Sequence, residues 1–157
     1  KKRKIKLPEL NVCTTSPQQL LRGEIRSAKT LWPGVKRLMF ALMKWKQDCI
    51  LEGVHLFPDF VHEFETMKEW ESVRDDIRII YLIKKDEQKI IEGFKRSDKS
   101  SDWLLQCIHT EEDLQNAAKM VRIKSIYLEK QAQKYGYRVV NTENNFQKTI
   151  RHLLKEF

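Results

Sequence analysis

Glu52 ends a short apolar run, Cys49-Ile50-Leu51, and is followed by Gly53 and His55. A carboxylate at a strand end can orient magnesium-bound water or polarise an attacking hydroxyl. Gly53 beside it permits close backbone approach, and His55 can touch a substrate. The plainer alternatives are a strand-end salt bridge for Glu52, a turn for Gly53 and a satisfied structural imidazole for His55. Arg22 and Arg26 lie one helical turn apart, a spacing that suits an acidic substrate and equally suits a solvated helix face. Lys119 and Arg122 are similarly spaced and follow Lys95, Arg96 and a polar segment over 95–110. Cations delivered by a movable segment are what a phosphoryl-transfer site needs over the transferring group. Asn141 and Thr142 close the last apolar run, where they can contact a base or cap the following helix.

These groups need positioning elements, and the apolar pattern supplies an expectation for each. Short β-branched runs alternate with helical stretches, which predicts an α/β domain with a parallel sheet and helices on both faces. Strands are expected at about 11–13, 48–52, 77–82 and 137–140. Thr15-Ser16-Pro17 reads as a hydroxyl cap with proline in the first helical turn. Trp32-Pro33-Gly34 predicts a break between that helix and a second one carrying Val35, Leu38, Met39, Leu42 and Trp45. Phe57, Phe60, Val61, Phe64 and Met67 recur at helical spacing, as do Ile90, Ile91 and Phe94 after Asp86. A long helix is expected from Glu111 to Lys134, stopped at Tyr135-Gly136. Phe146, Ile150, Leu154 and Phe157 mark the closing helix.

Composition narrows the class. The 157 residues are 41% hydrophobic and 33% charged, with a formal net charge of +8, an ordinary balance for one soluble domain. No apolar run approaches the roughly 18 residues of a membrane span. Five of the first six residues are cationic (Lys1, Lys2, Arg3, Lys4, Lys6). That basic segment, 1–10, reads as a solvated tail or as a contact for nucleic acid or another acidic partner. Three cysteines (Cys13, Cys49, Cys107) at wide spacing argue against a disulfide framework and for a reducing, intracellular compartment. The four histidines are scattered, so no metal site is expected.

The segment Cys49-Ile-Leu-Glu-Gly-Val-His-Leu56 resembles the third-strand motif of P-loop small-molecule kinases of the 2-phosphoglycerate kinase and zeta-toxin-like group. Val12-Cys-Thr-Thr-Ser-Pro-Gln-Gln-Leu-Leu-Arg22 looks like that group's second strand and following helix. Ile79-Ile-Tyr-Leu82 with Lys85-Asp86 resembles its fourth strand, Lys119-Met-Val-Arg122 to Tyr127-Leu128 a basic lid helix, and Val140-Asn141-Thr142 its last strand. The resemblance implies a three-layer kinase-like domain over 11–157 with a lid at 95–125. It implies transfer of phosphate from ATP, with Mg²⁺, to a hydroxyl of a small acidic metabolite. Glu52, Lys119 and Arg122 would then be catalytic. Thr14, Thr15, Arg22, Arg26, Gly53 and His55 would hold the substrate, and Arg96, Asn141 and Thr142 the nucleotide. Two departures stand against it. The Gly-x-x-x-x-Gly-Lys-Ser/Thr loop that grips ATP is not in the sequence, and Thr15 stands where the group tends to carry aspartate. The alternative expectation is therefore a non-catalytic binding or structural subunit of a larger, nucleic-acid-containing assembly.

Overall fold

The computed structural model describes residues 15–72, 74, 77–97 and 103–156. Its longest element is helix α1 (Pro17–Lys44). Ser16 caps it as the sequence predicts: its hydroxyl accepts from the Gln19 N–H, and the Gln19 side chain accepts from the Ser16 N–H. Contrary to the predicted break, α1 runs straight through Pro33. An interior proline costs about 3 kcal/mol. Trp32 beside it is 3% exposed and packs with Val35, Met39 and Met43 around Val61 and Phe64. Burying an indole of roughly 200 Å² contributes about 5 kcal/mol, less about 1–3 kcal/mol for its indole N–H, which is buried without a partner; with the packing of its neighbours this offsets the break. The helix ends at Lys44, and Lys46 just beyond it has a left-handed φ of 49°. The Lys46 and Gln47 N–H groups donate to Met43 and Leu42 carbonyls, closing the helix end.

The remaining elements are α2 (Pro58–Glu65), a 3₁₀ turn (Lys68–Ser72), β1 (Ile80–Ile83), α3 (Glu87–Arg96), α4 (Trp103–Gln106), α5 (Glu111–Lys134), β2 (Arg138–Asn141) and α6 (Phe146–Leu153). Thr110 caps α5 reciprocally with Asp113, and Gly136 at φ 75° takes the chain out of it. Two cores flank α1. Its first half meets α4 and α5 through Leu20, Leu104, Ala117 and Met120, and its second half meets α2.

The expected three-layer parallel sheet is not what forms. Among the described residues the sheet has two strands, β1 and β2, paired parallel with Ile80 opposite Arg138 and Ile83 opposite Asn141. The predicted strand over 48–52 is an exposed irregular stretch, and the one over 11–13 lies outside the described residues. The difference is one of partners. Tyr81 and Ile83 are buried, and Lys84 N–H donates to the Ser125 hydroxyl of α5 at 3.1 Å. Residues 47–54 are exposed throughout. A β-branched run acquires strand geometry only where a neighbour takes its backbone groups. The protein is accordingly mostly helical, with a small sheet laid against α5.

Candidate functional site

The expected site residues do not converge on one cleft. An open groove of about 400 Å³ is lined by Pro17, Gln18, Glu87, Asn116, Lys119, Arg122 and Ile123. It therefore contains two of the expected catalytic cations and none of Glu52, Gly53, His55, Arg96, Asn141 or Thr142.

Glu52 and Gly53 are exposed on the stretch before α2, and His55 is half-buried there. Arg96 is turned onto its own helix, its Nε donating to the Glu92 carbonyl at 3.2 Å. Thr142 is buried, and its hydroxyl and N–H both donate to the Ile83 carbonyl, which extends the strand pairing by one residue. Asn141 accepts from the Glu143 N–H at 2.8 Å, while Asn145 caps α6. Thr15 offers its carbonyl to the Asn116 amide at 3.3 Å, and Thr14 lies outside the described residues. The donor set expected for Mg²⁺ and ATP is thus dispersed. Among the described residues no three His, Cys, Asp or Glu side chains gather as metal ligands.

What the fold does assemble is a basic surface. The α1 and α5 helices run side by side in the same direction, tied by the Thr15–Asn116 hydrogen bond and by an ion pair of 2.7 Å between Glu24 and Lys124. Gln18 of α1 and Lys119 and Arg122 of α5 line the groove together. Arg22, Arg26 and Lys29 recur at i, i+4 and i+7, which puts them on one face of α1. All three are exposed, as is Lys119, and none of the four has an ion pair among the described residues. Arg122 is 3.5 Å from Glu87, a loose, half-exposed pair. The amino end of α1, with its partial positive charge, opens into the same groove. Lys29 is the member the sequence reading missed, although its spacing from Arg26 was legible.

A second cluster was missed entirely. All four tyrosines of the chain gather around two carboxylates of α2. Asp59 accepts from Tyr127 at 2.9 Å and from Tyr135 at 2.8 Å, and Glu65 accepts from Tyr137 at 2.5 Å. Tyr81 packs on Tyr137, and His62 stacks on Tyr135 at 4.2 Å. Three hydroxyls and the two carboxylates satisfy one another, while the Tyr81 hydroxyl is buried without a hydrogen-bond partner, and the cluster joins α2 to α5 and the start of β2. Burial, with the Asp59 contact second, pushes the Tyr127 phenol up to about 12. Burial is also the first cause that raises Tyr81 and Tyr137. Unfolded tyrosines ionise near pH 10, so above that pH the unfolded chain binds fewer protons than the native one. Stability carried by the cluster is complete below about pH 10 and is lost as pH rises through the native values. Urea midpoints should hold steady up to about pH 10 and fall beyond it, and Tyr127→Phe should flatten the fall. Titration of Tyr81, Tyr127 and Tyr137 near pH 10 in folded protein, read by absorbance at 295 nm, would contradict this.

Among the described residues no helix is long and apolar enough to cross a membrane. Comparison with known protein families, curated proteins and solved structures gives no match.

Proposed function

We propose that this chain is a binding module that engages the phosphodiester backbone of nucleic acid through α1 and α5. The observations that carry the reading are the groove at the amino end of α1 that Lys119 and Arg122 line, and the exposed Arg22, Arg26 and Lys29 on one face of the same helix. Clustered cations gain affinity by releasing the counterions condensed on phosphates. The basic run at Lys1–Lys6 joins the chain ahead of that helix, and the net charge of +8 has the same sign. A second basic depression runs along α6, lined by Lys148, Arg151, His152 and Lys155. Glu156 lies beside it, 3.7 Å from His152 and paired with Arg138, and offers a phosphate an acidic neighbour. The α1 face is therefore the better anion site.

The test is fluorescence anisotropy with a labelled DNA duplex of about 20 base pairs and a single-stranded RNA of about 20 nucleotides. Micromolar or tighter binding at low salt is expected, weakening steeply as salt rises. Binding weaker than about 100 µM to both at 50 mM salt would refute the reading.

Phosphoryl transfer to a small acidic metabolite is the second reading, favoured by Lys119 and Arg122 sharing one groove. Calorimetry separates the two. Without a loop of backbone amides around the phosphates, Mg·ATP should bind this chain no tighter than about 1 mM. A micromolar constant would favour the kinase reading.

A further inference from the structure

The outer side of the second half of α1 carries Leu31, Gly34, Leu38, Ala41 and Trp45, at spacings of three and four residues. Such spacing is the seam one helix offers to another. Leu31, Leu38 and Trp45 are 49%, 47% and 69% exposed, although large apolar side chains at this spacing normally face a core. The core side of the same helix is already committed, with Trp32, Val35, Met39 and Met43 against α2. Gly34 and Ala41 make dents between the three large residues, and a Cβ added at Gly34 would meet nothing within 4 Å. The seam spans about 21 Å, roughly four turns of helix.

Charge says what covers it. Arg37 and Lys44 precede Leu38 and Trp45, the flanking positions that choose a partner helix. Neither has an ion pair among the described residues, and from Ile25 to Lys46 the chain has no acidic residue at all. We propose that this seam docks an acidic amphipathic helix of another protein. Its bulky apolar residues would fill the dents at Gly34 and Ala41, and its Glu or Asp residues would face Arg37 and Lys44. A second copy fits poorly. Antiparallel pairing would set the Arg37 and Lys44 of each copy against each other. Parallel pairing would set them against Val35 and Leu42, which offer no counter-charge. The proposal is independent of nucleic-acid binding, since it uses neither Arg22, Arg26 and Lys29 nor the groove.

The probe is a labelled 21-residue synthetic helix with Leu at its seam positions and Glu at the flanks, titrated by anisotropy against the whole chain. A constant on the order of 10 µM is expected for so small an interface. Leu38→Ser with Trp45→Ser should weaken it at least about tenfold. Arg37→Glu with Lys44→Glu should reverse the preference, so that a peptide with Lys flanks binds better than the Glu peptide. These positions are exposed, so unchanged circular dichroism should accompany each loss. Equal binding of Glu and Lys peptides by the natural chain, or of neither, overturns the proposal. So does a dimer in sedimentation velocity that Leu38→Ser and Trp45→Ser dissolve, because a second copy would then be the occupant.

Discussion

Reversing Arg22, Arg26 and Lys29 together to glutamate is expected to weaken duplex binding by about a hundredfold or more at 100 mM salt, roughly 2.7 kcal/mol. The expectation follows from counting phosphates. If the five cations of the α1 and α5 face each neutralise one phosphate, the logarithm of affinity falls with that of salt at a slope of about −4.5. The natural chain should then lose about 500-fold between 50 and 200 mM salt. Removing three of the five contacts should cut the slope to about −2, a change in kind that general destabilisation would not produce. The α6 cations provide the control. Lys148→Glu with Arg151→Glu changes net charge by two thirds as much on the other basic depression. It should leave the slope close to its natural value. A collapse of binding in the α6 variant, with the α1 variant unaffected, would move the interface to α6 and remove α1 from the proposed site.

Phe64→Ala should be among the most damaging truncations in the described core, costing about 3–5 kcal/mol. Phe64 is 0% exposed, with Phe40 at 5.0 Å and Trp70 at 5.6 Å between ring centroids. It sits in the core that Trp32 and Val61 complete, and that core is what carries α1 through Pro33. Domains of this size are typically stable by only about 5–15 kcal/mol, so roughly a fifth or more of the total is at stake. A fall in melting temperature on the order of 10 °C is the expected readout, with an unchanged urea m-value. A loss below about 1 kcal/mol would mean that the neighbouring rings close over the gap, and that α1 is held by other contacts. The docking seam should suffer with it, because Leu31 to Trp45 lie on the half of the helix that this core supports.

The local rules were largely readable from the chain. Ser16 and Pro17 opened α1, the helix expected from Glu111 formed as α5, and Gly136 closed it, because caps and left-handed turns are decided by a few neighbouring residues. Arg22, Arg26, Lys119 and Arg122 stood out for the same reason, since helical spacing is a local property. The grouping of the four tyrosines around Asp59 and Glu65 had no such local sign. Its members come from residues 59 to 137 and meet only in the fold. The sheet is the clearest case. Cys49-Ile50-Leu51 and Ile80-Tyr81-Leu82-Ile83 are both short apolar runs, yet only the second became a strand, opposite Arg138 to Asn141 and against α5. The sequence by itself determined where α1 and α5 begin and which residues share a helical face. Tertiary structure alone decided which run found a partner, and whether Trp32 would be buried deeply enough to carry a helix past its own proline. Both outcomes rest on non-local burial, whose free energy of several kcal/mol exceeds the preference of any single residue.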